Sequence, residues 1–158
     1  MTAPMRGPVL VTGLPRSGTT WLAQQLASSP RTAMTGREPM NPRGRQFALQ
    51  GSVSSWVRLD RDPSPRQLRT LRRVYRGWEP RVYSRYGVRQ WAAPLPWVRV
   101  VVKDPFALLS LPAITRATGA RPVILYRHPA AVLASYRRLN WLPDVAEIAA
   151  LGLPDAEP

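Results

Sequence analysis

Pro8-Val9-Leu10-Val11-Thr12 is a short, β-rich apolar run that stops at Gly13, and a helical pattern carrying Trp21, Leu22 and Leu26 opens just after Gly18. Between them lies Gly13-Leu14-Pro15-Arg16-Ser17-Gly18-Thr19-Thr20, a glycine loop running from a strand into a helix. In that setting backbone N–H groups converge on one point and the helix dipole adds positive potential there, so the unit suits an anion. The spacing keeps both glycines and the terminal Thr of the nucleoside-triphosphate loop G-x-x-x-x-G-K-[ST] but has Thr19 where the lysine belongs. The basic residue stands inside the loop, at Arg16. An ordinary ATPase or GTPase is therefore disfavoured, since it needs that lysine on its β- and γ-phosphates. The dinucleotide fingerprint G-x-G-x-x-G also fails, because position 15 is Pro15.

The rest of the chain extends the unit. Arg31 to Thr35 reads as a second strand ending near Gly36, Val98 to Val102 as a third and Pro122 to Tyr126 as a fourth. Leu108, Leu111 and Ile114 mark a segment closed by Gly119 at a helix C-terminus. Pro129 suits a first helical position, and the helix it opens runs to about Leu139. Apolar strands separated by helices, each strand expected to be buried on both faces, indicate a three-layer α/β/α fold with a central parallel sheet, like that of P-loop nucleoside-triphosphate hydrolases. The stretch from about 41 to 96, rich in Arg, Trp and Tyr, reads as a helical insertion. Within it Ser64-Pro65 looks like an N-cap and first position, and Leu68, Leu71 and Tyr75 share one helix face. Arg66, Arg69, Arg73 and Arg76 lie largely on the other, either as a solvated face or as a lip that steers an anionic substrate.

A length of 158 residues fits one domain, and 44% hydrophobic against 20% charged residues excludes a disordered tail. With no cysteine and one histidine, disulfides, thiolate chemistry and an imidazole cluster for a catalytic metal are excluded. No apolar run is long enough for a membrane helix, and a soluble, cytoplasmic protein is expected. The formal charge of +14 arises from 22 arginines and the single Lys103, and it points to an anionic partner.

Thr12 to Trp21 resembles the 5′-phosphosulfate loop of sulfotransferases that use 3′-phosphoadenosine 5′-phosphosulfate (PAPS), where a Lys or Arg at the position of Arg16 precedes Ser-Gly-Thr-Thr and often Trp. Tyr126-Arg127-His128-Pro129 followed by Ser135-Tyr136 resembles the 3′-phosphate motif of the same family: an Arg at a strand end and a Ser eight positions later. Val101 to Pro105 is similar to the strand-end segment of many bacterial members. The matched pieces cover residues 9 to 40 and 98 to 139. The resemblance implies a PAPS-dependent sulfotransferase acting without a metal on a hydroxyl or amine acceptor, a small molecule, carbohydrate or lipid, with no nucleic-acid partner. It implies donor binding by Arg16, Ser17, Gly18, Thr19, Thr20, Trp21, Arg127 and Ser135, and catalysis by Arg16, Lys103 and a carboxylate.

For the acceptor's base, Glu38 resembles the glutamate of tyrosylprotein and carbohydrate sulfotransferases. Asp104 is the second candidate, or the group that fixes Lys103, and Glu38 could instead pair with Arg37 or Arg43. His128, the sole histidine, reads as a strand-end residue of the 3′-phosphate motif. Family domains are longer, and the late Arg-Lys-Gly segment has no counterpart, so the chain is expected to be an incomplete single domain over 1–158. Two other readings stay open: an inactive adenosine-nucleotide binder, and a basic nucleic-acid-binding module resting on charge alone.

Overall fold

Four short strands, β1 (Val9–Gly13), β2 (Thr32–Met34), β3 (Arg99–Lys103) and β4 (Arg121–Leu125), form one sheet in the order β2-β3-β1-β4 in a computed structural model that describes residues 7–41, 63–84 and 87–141 with Leu59 and Ala146. Every pairing is parallel, with Val9 opposite Val101 on one side of β1 and Arg121 on the other. Parallel neighbours need crossovers, which helix α1 (Thr19–Ser28) provides from β1 to β2 and helix α3 (Leu111–Thr118) from β3 to β4. The first crossover runs toward one edge of the sheet and the second toward the other. With the usual right-handed connection, that places their helices on opposite faces.

The side chains agree. Val11 and Val101 pack against Ala23, Leu22 and Leu26 of α1. On the other face Leu10, Val100 and Val102 join Ile114 and Ala113 of α3 and Leu71, Val74 and Tyr75 of helix α2 (Pro65–Tyr75). This is the three-layer arrangement, and each fully buried Leu, Ile or Val in it contributes roughly 1.5–3 kcal/mol.

Local signals act as their chemistry dictates. Ser64 accepts the N–H of Gln67 while the Gln67 side chain accepts the N–H of Ser64, a complete capping box with Pro65 at the first position of α2. Gly119 takes a left-handed conformation, φ 68°, at the end of α3. Of the apolar face expected on α2, Leu71 and Tyr75 are buried and Leu68 is half-buried; Val74, hidden in the sequence between arginine and tyrosine, is buried completely. Between β2 and β3 the described residues hold α2 and two 3₁₀ turns, Pro80–Val82 and Val88–Ala92. Arg43, most of 42–62 and, apart from Ala146, the stretch after Trp141 lie outside the described residues.

One expectation fails. β4 is not buried on both faces: Val123 and Ile124 are exposed, because among the described residues β4 pairs with β1 alone and forms the sheet's edge. An apolar run marks a strand but does not say how many neighbours cover it.

Candidate active site

Parallel strands end together, and the carboxyl ends of β1, β2, β3 and β4 bring four connecting segments to one edge of the sheet, where open α/β folds gather ligands. The loop after β1 lies at the centre. Gly13, φ 143°, is required there: a Cβ would sit 2.3 Å from the carbonyl oxygen of Leu125, its partner on β4. Arg16 has φ 71° although it is not glycine, a strained conformation of the kind that persists where surrounding contacts enforce it. Those contacts are present. The Tyr136 hydroxyl donates to the Pro15 carbonyl at 3.1 Å, Arg127 Nη1 donates to the Arg16 carbonyl at 2.9 Å, and Arg16 Nε donates to Ser135 Oγ at 3.0 Å. Two successive carbonyls are thus held by side chains from β4–α4, where α4 is Pro129–Arg138.

Gly18 occupies the N-cap of α1 and supplies no side-chain acceptor, so the first-turn N–H groups are left for a ligand. The Ser17 N–H is not among them, since it closes a turn on the Leu14 carbonyl at 3.1 Å. Its hydroxyl is buried without a hydrogen-bond partner, as are those of Thr12 and Thr35. An unpaired buried hydroxyl is costly unless something completes it, so Ser17 within the loop suits a group rich in acceptor oxygens. Thr19 is buried, while Thr20, Arg16 and Trp21 are exposed on the loop and first turn.

Glu38 and Lys103 come together. Lys103 ends β3, Glu38 follows β2, and the Lys103 ammonium donates to Glu38 Oε1; Asn41 Nδ2 donates to Oε2. Both charged side chains are only about one-sixth exposed, 16% and 15%. Glu38 and Lys103 were expected at this same edge, with Arg37 or Arg43 as the alternative partner of Glu38 and Asp104 as that of Lys103; the structure pairs the two with each other. Glu38 is also shaped by the segment between β2 and β3: the Arg37 N–H donates to the Val82 carbonyl at 2.8 Å, and a Cβ on Gly36 would collide with Ser84. Gln90, buried, accepts the Ser84 N–H and donates to the Ser84 carbonyl, fixing that contact.

Asp104 behaves differently. It is buried, and both oxygens are engaged: Oδ2 accepts the Met40 N–H at 2.6 Å and Oδ1 the Phe106 N–H at 3.0 Å. Burial, reinforced by the negative charge of Glu38, raises its pKa from 3.8 to about 8, against the opposing pull of the two amides and Lys103. A carboxyl so enclosed clips the 38–40 loop to the end of β3 rather than facing solvent. Across the edge, Arg127 is exposed and Ser135 is buried beneath Arg16, so the two residues of the second motif flank the glycine loop. His128 is the N-cap of α4, its Nδ1 accepting the Ala130 N–H. Tyr136 carried no sequence signal beyond following Ser135; its role rests on a contact 121 positions away.

A parallel α/β sheet with an anion-suited loop after its first central strand and basic residues at the neighbouring strand ends defines the P-loop-like class of group-transfer folds. A sequence model described as the sulfotransferase family matches residues 8–149, and the chain belongs to that family. No curated protein and no solved structure matches it. Among the described residues, no helix is long and apolar enough to cross a membrane.

Proposed function

We propose that this sulfotransferase takes its sulfuryl group from PAPS and passes it to a hydroxyl or amine acceptor in the cytoplasm. The observation that carries the reading is the meeting, at one sheet edge, of an uncapped helix N-terminus bearing Arg16 with the Glu38–Lys103 pair. PAPS is the substrate that brings phosphosulfate and 3′-phosphate oxygens to such a surface. The first-turn N–H groups of Gly18, Thr19 and Thr20, the Ser17 hydroxyl and Arg16 would hold the 5′ end, with Trp21 beside them. Arg127 and Ser135 would hold the 3′-phosphate.

In this reading Lys103 stabilises charge gathering on the leaving phosphate oxygen. Glu38 accepts the acceptor's proton as the acceptor oxygen or nitrogen bonds to sulfur and the sulfur–phosphate oxygen bond breaks. The pairing of Glu38 with Lys103 supports this division of labour, since it holds the carboxylate beside the cation that faces the same substrate. Asp104 serves as a positioning residue that sets the Glu38 loop. The chain acts as one domain, with the 41–96 segment inserted between β2 and β3 and bracing the 36–38 loop through the Val82 carbonyl and Ser84.

Glu38→Gln is expected to lower turnover of labelled PAPS by about 10²–10⁴-fold with nucleotide affinity nearly intact. Full activity in that variant would move the base elsewhere. Binding of adenosine 3′,5′-bisphosphate without turnover by the wild-type chain would favour a nucleotide binder, and unchanged bisphosphate affinity in Arg16→Ala would remove the loop assignment.

A further inference from the structure

The opposite end of the molecule carries its own pattern. Helix α2 and its C-terminal cap residue present Arg66, Arg69, Arg72, Arg73 and Arg76 outward, while Leu71, Val74 and Tyr75 anchor the other face of the helix in the core, so the arginine face is held toward solvent. A groove of about 360 Å³ runs along this face, lined by four of those arginines with Leu68 and Trp78. A second, of about 260 Å³, shares Arg76 and Trp78 with it and continues over Pro94, Leu95 and Pro96 to Val98. A third, of about 220 Å³, shares Pro96 and Val98 and ends at Trp97, Arg31 and Arg99.

The strip therefore reads arginines, indole, a Pro-Leu-Pro ridge, indole, arginines. It lies at the amino ends of β1, β2 and β3, away from the glycine loop and the Glu38–Lys103 pair. Among the described residues, no acidic side chain lines any of the three grooves. On the α2 side of the strip, Arg72 donates to the Ala117 carbonyl, and Arg73 donates to the Trp78 carbonyl and lies 3.6 Å from Glu79. The buried Glu79 is already held by Arg81 through two hydrogen bonds, which keeps its carboxyl below the usual range, so it leaves the strip strongly positive. Trp78, Leu95 and Trp97 are 54%, 40% and 55% exposed, and the Arg76 guanidinium lies 5.9 Å from the Trp78 ring centre.

We propose that this strip docks on the surface of an anionic lipid bilayer. Arginines at both ends would meet lipid phosphates, while Trp78, Leu95 and Trp97 would enter the boundary between headgroups and acyl chains, where amphipathic rings and apolar side chains are stabilised. Charge alone would also suit a polysaccharide or a nucleic acid. The Pro94-Leu95-Pro96 ridge decides between them: a hydrated polyanion leaves it in water, whereas a bilayer buries it. Docked this way, the carboxyl edge of the sheet faces away from the membrane and stays open to dissolved substrates.

The full chain is tested by co-sedimentation with vesicles of phosphatidylcholine and of phosphatidylcholine mixed with phosphatidylserine. It should sediment with the mixed vesicles and not with the neutral ones. Arg69→Gln with Arg76→Gln should weaken that binding about 30-fold, the combined effect of two basic residues at an anionic surface. Trp78→Ser with Trp97→Ser should weaken vesicle binding but leave heparin binding unchanged, and should abolish the part of the fluorescence quenching that brominated lipid causes. Circular dichroism checks that these exposed-site variants fold. Equal sedimentation with both vesicle types, or with neither, overturns the proposal. So does an equal loss on Arg127→Gln at the far edge, which would mean undirected charge attraction. Tighter binding to heparin or duplex DNA than to anionic vesicles, untouched by the tryptophan changes, reassigns the strip to a polyanion.

Discussion

Replacing Asp104 by Asn should change the sign of its effect on stability with pH. In the folded chain the carboxyl titrates at about 8 against 3.8 for the free side chain. A group whose folded pKa is raised binds a proton that the unfolded chain releases, so stability is lost as pH climbs from about 4 to about 8 and is level above that. At pH 7 the interval is about three pH units, which at 1.36 kcal/mol per unit is about 4 kcal/mol of destabilisation. Asparagine never ionises and escapes that term. It does, however, turn one NH₂ toward an amide N–H, of Met40 or Phe106, where an oxygen now accepts. An unmatched buried pair of this kind costs about 1–3 kcal/mol. The variant should therefore be less stable than wild type by about 1–3 kcal/mol near pH 4 and more stable by a similar amount near pH 7 to 8. Urea unfolding across that range reads the difference directly, and contributions from other titrating groups largely cancel between the two proteins. A difference that stays constant over the whole range would refute the reasoning, because it would mean that Asp104 carries the same charge in the folded and unfolded chain throughout.

Tyr136→Phe removes the hydroxyl that holds the Pro15 carbonyl; stability should fall by about 0.5–1.5 kcal/mol, with bisphosphate affinity by calorimetry falling several-fold, and unchanged affinity would show that the loop holds its shape without it. Arg127→Ala should reduce affinity for adenosine 3′,5′-bisphosphate by on the order of 1.5–3 kcal/mol. Because Arg127 also holds the Arg16 carbonyl, adenosine 5′-phosphate should lose a smaller amount, and equal losses would argue against a 3′-phosphate role. Ser64→Ala breaks the capping box of α2 and should cost about 1 kcal/mol in a denaturation experiment without altering nucleotide affinity.

Features set by neighbours in the chain were legible. The strand, loop and helix around Gly13 and Gly18, the Ser64-Pro65 start of α2 and the Gly119 stop of α3 each depend on a few consecutive residues whose backbone preferences are strong. Lys103, Glu38 and Arg127 were placed at strand ends because a parallel sheet aligns them. What was hidden depends on partners far along the chain. The Glu38–Lys103 pair spans 65 positions, and the hydroxyl of Tyr136 meets a carbonyl 121 positions earlier. Neither periodicity nor composition encodes such distances. Gln90, an ordinary polar residue by sequence, is buried because it substitutes for a missing strand partner at Ser84, and Asp104 could be read as a base because burial of both its oxygens is a tertiary fact.

The exposed position of β4 bears on how this protein behaves in a tube. Val123-Ile124-Leu125, with Tyr126 just beyond the strand, is an uncharged, apolar, β-prone window on a strand with one flank unpaired among the described residues, the pattern that recruits further strands into aggregates. The sequence brackets it with gatekeepers: Arg121 and Pro122 before, Arg127 after. Parallel sheets assemble slowly, so the window is uncovered for longer during folding than in a helical protein. The charge of Arg127 therefore has a second expected duty as a brake on precipitation, so variants that remove it are to be compared as purified, soluble protein and not in a crude lysate.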